Sequence, residues 1–331
     1  MTRAPSWWDR DPARPGLAPR LLQPLGALYA LATARRVRGP GYGAGVPVAC
    51  VGNLEAGGAG KTPVAMALAE RLGGRGVAVH LVSRGHGGSL RGPVRVGPRH
   101  RAEEVGDEPL LLAAVAPTWV ARDRAAGVRA AEGAGAEAVL LDDGFQNPSV
   151  LKDLSVVVAD AARGWGNGRA IPAGPLREGV RAGLSRADLL LTLGDGPAQD
   201  AFTERWGEAA AGLPRVRGEL RPLPTGMPWR GLRAFAFAGI GRPEKFFSTL
   251  RALGVELAGT RALGDHEPLP PALLQRLEAE ARALGAQLVC TEKDAARLPE
   301  GFRPRVIVLP VRLHVDDWGP VDARLDGLLG S

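Results

Sequence analysis

The feature that most constrains this chain is a glycine-rich turn set between an apolar run and a helical stretch. Residues 48–51 are apolar; Gly57, Gly58 and Gly60 follow, and then Lys61 and Thr62. Glycines let the backbone curl so that successive N–H groups converge, and the next helix adds its positive N-terminal end. A cradle of this kind suits phosphate oxygens, with Lys61 reaching the terminal phosphates and the Thr62 hydroxyl turned to a magnesium ion. Gly57, Gly58, Ala59, Gly60, Lys61 and Thr62 are therefore the candidate nucleotide-binding residues. The strict spacing G-x-x-x-x-G-K-[ST] fails at its first glycine, where Glu55 stands.

The rhythm of strand, turn and helix continues from there. Apolar runs predict strands over 48–51, 77–82, 118–121, 138–141, 154–159 and 188–193, and helices over 62–72 and 107–114. Such alternation points to an α/β chain of the P-loop NTPase-like kind, a mainly parallel sheet with helices on both faces. Residues 212–229 are rich in Pro and Gly and read as a boundary. Beyond them a second, smaller α/β unit is expected, with strands at 233–238, 255–259, 287–290 and 305–311 and helices at 243–253 and 270–284. The expected organisation is an N-terminal segment over 1–45, a P-loop domain over 46–225, and a smaller domain over 226–331 that closes on the site. At 331 residues the chain has the length for two domains.

The first 45 residues differ in kind. Trp7 and Trp8 come early, and Leu17, Leu21, Leu22, Leu25, Leu28, Tyr29 and Leu31 recur at near-helical spacing before Arg35, Arg36 and Arg38. This is the pattern of an amphipathic helix with a basic end, suited to a membrane interface or to packing on its own domain. No uninterrupted apolar run reaches the length of a spanning helix, and the basic residues stand where a signal peptide would place its cleavage site. The formal net charge is +7, which favours anionic partners; aromatics at 5% give little stacking surface for single-stranded nucleic acid. Nucleic acid is set aside as a partner, and a monomer is expected. Cys50 and Cys290 both follow apolar residues and read as reduced core residues of a cytosolic protein.

Further motifs carry polar chemistry. Asp142 and Asp143 end an apolar run, where one of them would hold Mg²⁺, although Asp-Gly is also a common turn pair. Asp107 offers a general base toward a hydroxyl, or a cap for its helix. His266, between Asp265 and Glu267, suits tuning of a base, phosphate contact or a plain loop. Thr291 and Asp294 are spaced for a capping box, with ligand binding as the alternative. Arg177 and Glu178 end a rigid Pro/Gly loop.

Taken in order, these segments resemble one family, the tetraacyldisaccharide 4'-kinases. The segments run Gly52 to Pro63, Ser83 to Gly88, Gly106 to Pro109, Asp142 to Gln146, Gly166 to Gly168, Pro172 to Glu178, Asp265 to Pro268 and Thr291 to Asp294. The resemblance implies transfer of the γ-phosphoryl group of ATP to the 4'-hydroxyl of an acylated glucosamine disaccharide 1-phosphate, giving lipid IVA in lipid A biosynthesis. It implies Mg²⁺ as cofactor and a peripheral place on the cytoplasmic face of the bacterial inner membrane. It assigns Lys61 and Thr62 to ATP and metal, Asp142 and Asp143 to the metal, Asp107 to the catalytic base and His266 to its support. Ser83, Arg84, Arg177 and Glu178 match active-site loops that face substrate. Two positions depart from the family pattern: His86 stands for an expected Tyr, and Asn147 for a frequent His. Two rival readings remain, a metallochaperone-type P-loop switch and a membrane-bound scaffold with an idle nucleotide pocket. The first lacks a Cys/His cluster, and the acids beside Lys61 argue against the second.

Overall fold

The computed structural model describes residues 5–330, so residues 1–4 and 331 of the expected N-terminal and C-terminal segments lie outside it. The chain opens with a short 3-10 turn, Ser6–Asp9, and the helix α1, Leu17–Arg36. The strand β1 (Val48–Gly52) leads through the glycine loop into α2 (Lys61–Gly73), and β2 (Val79–Ser83) follows. Next come β3 (Val94–Arg95), α3 (Ala102–Val105), α4 (Asp107–Leu112) and β4 (Thr118–Val120). The helix α5 (Arg124–Gly133) is capped by the Asp123 carboxylate and leads to β5 (Ala138–Asp142) and β6 (Leu154–Asp160). Beyond a long loop lie α6 (Val180–Leu184), β7 (Leu189–Leu193), α7 (Gly196–Trp206) and β8 (Arg215–Pro222).

The second unit runs β9 (Arg233–Ala238), α8 (Pro243–Ala252), β10 (Glu256–Ala262), α9 (Pro271–Ala283), β11 (Gln287–Thr291), α10 (Glu292–Ala295) and β12 (Val306–Leu309). The chain then returns to the first unit as β13 (Val311–Val315) and α11 (Gly319–Leu329). The large sheet has nine strands in the order β13-β8-β7-β6-β1-β5-β2-β4-β3, parallel except for β13 and β3 at its edges. The small sheet, β10-β9-β11-β12, is parallel throughout.

The expected α/β class with a mainly parallel sheet and helices on both faces is what the chain forms. β1, β2, β5, β6 and β7 are buried along their whole length, the continuous apolar habit of strands covered on both sides. One face packs Val64, Leu68 and Leu72 of α2 with Leu325 and Leu328 of α11; the other packs Phe145, Trp165 and Phe202. From β1 the chain goes to β5 and β2 on one side and later returns to β6 on the other. The crevice beyond the carboxyl end of β1 is thus a topological switch point, where open sheets of this kind bind ligands.

Two expectations are corrected. The Pro/Gly-rich stretch 212–229 contains β8, a strand hidden by its charged alternate residues and flanking prolines. The single strand expected over 305–311 is two, divided at Pro310: β12 stays with the small sheet, and β13 pairs antiparallel with β8. Residues 311–329 therefore belong with the large sheet, joined there also by Arg71 and Arg75 of α2 to Asp322.

The helix α1 packs on its own chain through small residues. Pro19, Gly26 and Thr33 are its buried positions, while Leu17, Leu21, Leu25, Leu28 and Leu31 are exposed. A Cβ on Gly26 would stand 2.8 Å from the Ala170 carbonyl oxygen, so only glycine lets the helix lie this close. Trp7 and Trp8 are half-buried on the chain's own domain, one of the two placements expected of this segment: Asn167 N–H donates to the Trp8 carbonyl at 2.8 Å and its Nδ2 to that of Trp7 at 3.1 Å. Cys50 and Cys290 are buried free thiols, as expected.

Candidate active site

The phosphate loop is built from the end of β1 outward. Asn53 is fully buried; its Nδ2 donates to the Gly57 carbonyl at 3.1 Å, and its Oδ1 accepts from Lys61 Nζ at 3.4 Å. Gly60 sits in the left-handed region with φ 84°, and a Cβ there would meet Leu193 Cδ1 at 2.4 Å, so both backbone and space require glycine. The opening arm of the loop is stitched to a neighbouring segment. Ala56 N–H donates to the Pro175 carbonyl at 2.8 Å, and Arg177 N–H to that of Leu54 at 2.7 Å. Glu55 lies between them in ordinary backbone, bridged to Leu176, which explains how a residue other than glycine fits there. Its buried carboxyl faces Arg163 at 3.6 Å, and burial pushes it up to about 7 against that arginine.

The acid pair stands at the adjacent strand end. Asp142 is buried as the last residue of β5; Ser83 Oγ donates to its Oδ2 at 3.1 Å, while its Oδ1 has no hydrogen-bond partner among the described residues. Burial raises its pKa, and the carboxylates of Glu108 and Asp143 add to the rise. Asp143 adopts a left-handed backbone with φ 51°, a strained conformation for a residue with a side chain. Arg177 grips it with donors at 2.9 and 3.3 Å, and Lys61 Nζ lies 3.7 Å away. Burial would lift this carboxyl, but Lys61 and Arg177 prevail and hold it down to about 2. Buried Arg124 donates to the Asp143 carbonyl at 2.6 Å. Gln146 ties the parts together, its Nε2 donating to the Asn53 carbonyl at 2.7 Å and to Glu178 Oε1 at 3.0 Å.

The third group spans the two sheets. Asp107 is the first residue of α4; Gly106 holds the cap position, and no side chain caps this helix, so the capping role does not apply. The buried carboxylate instead accepts from Glu108 N–H at 3.0 Å and meets His266 Nδ1 of the second unit at 3.0 Å. Against burial, the adjacent His266 imidazole and the charges of Lys293 and Arg297 keep Asp107 below the usual carboxylate range. The adjacent Asp107 carboxylate raises His266 despite burial and Lys293. His266 also has a positive φ, 57°, and the His86 ring meets it edge-on at 5.3 Å between centroids. Gly106, before Asp107, packs on the turn of Gly85 and His86, just past the Ser83 that bonds Asp142, so dyad and acid pair share one neighbourhood, and the Glu108 charge raises Asp142. The Asp107–His266 pair is already formed in this structure.

Of the residues singled out in the sequence, Lys61, Ser83, Asp142, Asp143, Arg177 and Glu178 form one network, and Asp107 with His266 adjoins it. Arg84 is exposed beside Ser83, with its charge felt by Arg124. Asn53, Gln146 and Glu108 lie inside quoted motifs but had no role read from them. Arg124 carries no signal in a chain this rich in arginine. Thr291 caps α10 by accepting from Asp294 N–H at 3.1 Å, which is the structural role weighed for that motif. Its neighbour Lys293 reaches the site, 3.1 Å from His266 Nε2.

A glycine loop after a buried parallel strand, a lysine at the following helix N-terminus and two carboxylates at the adjacent strand end define a P-loop phosphotransferase fold. The model of the family "Tetraacyldisaccharide-1-P 4'-kinase" matches residues 18–330. The chain is 62% identical over 328 residues to a tetraacyldisaccharide 4'-kinase of Dinoroseobacter shibae, covering 98% of this chain and 97% of that one. It is 58% identical over 330 residues to one of Jannaschia sp., covering 99% of each. The fold matches a crystal structure of LpxK from Aquifex aeolicus with a TM-score of 0.73 at 23% identity, covering 95% of this chain and all of that one. The chain belongs to the tetraacyldisaccharide-1-P 4'-kinase family. It is a kinase, a phosphotransferase with a hydroxyl acceptor.

Proposed function

We propose that this chain moves the γ-phosphoryl group of ATP to the 4'-hydroxyl of a tetraacyldisaccharide 1-phosphate, with Asp107 as base and His266 as its support. The observation that carries the reading is the 3.0 Å contact between Asp107 and His266 beside the acid pair and the phosphate loop. Loop amides from Gly57 to Gly60 and the Lys61 ammonium bind and orient the phosphates, and the solved LpxK complex with ATP supports that ligand. Phosphoryl transfer asks chiefly for alignment and charge neutralisation, both of which these groups supply. Asp107, ionised and buried, accepts the hydroxyl proton late in the transfer.

Asp142, Asp143 and the Thr62 hydroxyl are the proposed Mg²⁺ ligands. The donor set fits: all are hard oxygens, and the buried Asp142 Oδ1 lacks any partner among the described residues. When bound, the ion would neutralise charge on the transferring phosphoryl group. Ser83, Arg177 and Glu178 keep these carboxylates aimed, and Arg84 stands exposed for a substrate anion.

The large unit is assigned residues 46–225 with 311–329, and the smaller closing unit 226–310. Asp160 joins them a second time, with Arg242 at 3.1 Å and Lys245 at 2.5 Å. The exposed leucines of α1, with Arg35, Arg36 and Arg38 after them, are the proposed seat on an anionic bilayer, where the protein acts as a peripheral monomer at the cytoplasmic face of the inner membrane. Among the described residues no helix is long and apolar enough to cross a membrane. Asp107→Asn and His266→Gln test the reading. Each is expected to lower kcat by about 10²–10⁴ with ATP binding kept; near-normal turnover removes that residue from the chemistry.

A further inference from the structure

We propose that Lys293 is a positioning residue of this site: its ammonium opposes a second proton on His266 and, in the neutral ring, fixes the proton on Nδ1 toward Asp107 and the lone pair on Nε2. This deepens the reading above and rests on it.

A lysine ammonium only donates. Its Nζ stands 3.1 Å from His266 Nε2, so that nitrogen must accept. The one proton of the neutral ring is then on Nδ1, which faces Asp107 Oδ2 at 3.0 Å, an oxygen with no aligned hydrogen bond among the described residues. One tautomer alone meets the Lys293 contact and puts its proton beside the carboxylate. A second proton on Nε2 would set N–H against N–H and a cation against a cation.

Lys293 stays charged in this position. Its Nζ lies 3.2 Å from Asp265 Oδ1 and 3.5 Å from Glu108 Oε1, and these carboxylates with Asp107 keep its pKa up against burial. Its placement is fixed by the capped turn of α10, where Thr291 holds Asp294 N–H and the Asp294 carboxylate accepts from Gly239 N–H at 3.0 Å.

The other groups around the imidazole leave the assignment unchanged. From α4 come Asp107 and Glu108, the latter engaged with Lys293. From its own loop come Asp265, 3.8 Å from Nε2 but closer to Lys293, and Glu267, which accepts from Gly264 N–H. From α10 and the turn after it come Lys293, Asp294 and Arg297; Asp294 pairs with Arg297, whose Nε lies 3.8 Å from Asp107 Oδ2. The His86 ring edge completes the shell. Among the described residues, Lys293 alone places a cation at Nε2. The consequence for the reaction is that Lys293 brings the loss of the second proton to lower pH against the pull of Asp107, so that the Asp107 carboxylate then meets the acceptor hydroxyl beside a neutral imidazole. A full imidazolium there would weaken it as a base.

The test is ¹⁵N spectroscopy of the full chain with labelled histidine, where five histidines give a readable set and His266→Gln assigns the signal. At about pH 8 the wild type is expected to show a proton on Nδ1 and a bare Nε2. In Lys293→Met the His266 midpoint is expected to rise by about one unit or more. Near neutral pH kcat should fall about tenfold, with its acid limb displaced upward and KM for ATP kept within about twofold. A wild-type proton on Nε2, or an unmoved midpoint in the variant, overturns the proposal. If Lys293→Met does not fold, Lys293→Gln keeps a donor without the charge and is read the same way, and the wild-type spectrum decides in either case. Failure of the base assignment would instead leave these spectra as expected and show an active Asp107→Asn.

Discussion

The row of exposed leucines on α1 makes a quantitative prediction. Leu17, Leu21, Leu25, Leu28 and Leu31 are 72, 71, 55, 63 and 68% exposed. At about 100° per residue they fall within an arc of about 120°, with the buried Pro19, Gly26 and Thr33 centred opposite. The exposed fraction equals a little over three whole leucine side chains. Complete transfer of one from water is worth about 1.5–3 kcal/mol, so the face holds about 5–10 kcal/mol. A helix lying at the headgroup boundary would realise about half of that, which is about 10²–10⁴ in partition coefficient. Replacing all five leucines by Gln should therefore lower co-sedimentation with phosphatidylglycerol-containing vesicles by at least about a hundredfold. The unfolding temperature should hold, because none of these side chains enters a core cluster. Partitioning within about threefold of wild type would refute the assignment of this face to the bilayer.

Gly26→Leu drives a side chain toward the Ala170 carbonyl oxygen, 2.8 Å from the Cβ position; it should cost about 1–3 kcal/mol in denaturant unfolding, and an unchanged midpoint would contradict the packing. Asp160→Ala removes the partner of Arg242 and Lys245 between the units; solution scattering should show a larger radius of gyration, and an unchanged profile would dismiss Asp160 as a latch. The dyad also links stability to pH. Asp107 lies below its ordinary 3.8, so its contribution is present above 3.8 and is lost as pH falls through the lower folded value. His266 lies above its ordinary 6.5, so its contribution is complete below 6.5 and is lost as pH rises through the higher folded value. The stability gap between wild type and His266→Gln should be widest from about pH 4 to 6.5 and narrow on either side, and a flat gap would deny the pairing.

How much of this was legible in the sequence follows from how local each feature is. The phosphate loop could be read because its chemistry lies within six consecutive residues after an apolar strand. The central strands were visible as unbroken apolar runs. β8 and β13 were not, since both lie at or near the sheet edge, where one face meets solvent and charged residues alternate with apolar ones. Glu55 spoiled the expected glycine pattern, and only its bridge to Leu176 shows why the loop tolerates it. The contact of Asp107 with His266 joins residues far apart in the chain, and spacing alone cannot reveal such a pair; the family resemblance did. Lys293 went unread because its motif also satisfied a cap, which it does form through Thr291. The leucine row was legible, but its direction was not, because the small residues that seat the helix carry no hydrophobic signal.

The most direct measurement incubates the purified chain with ATP and tetraacyldisaccharide 1-phosphate and reads the product by mass and by the position of the new phosphate. The account predicts one added phosphoryl group at the 4'-oxygen with wild type, and almost none with Asp107→Asn although that variant still binds ATP. Phosphorylation elsewhere on the sugar, or full turnover by Asp107→Asn, would contradict it.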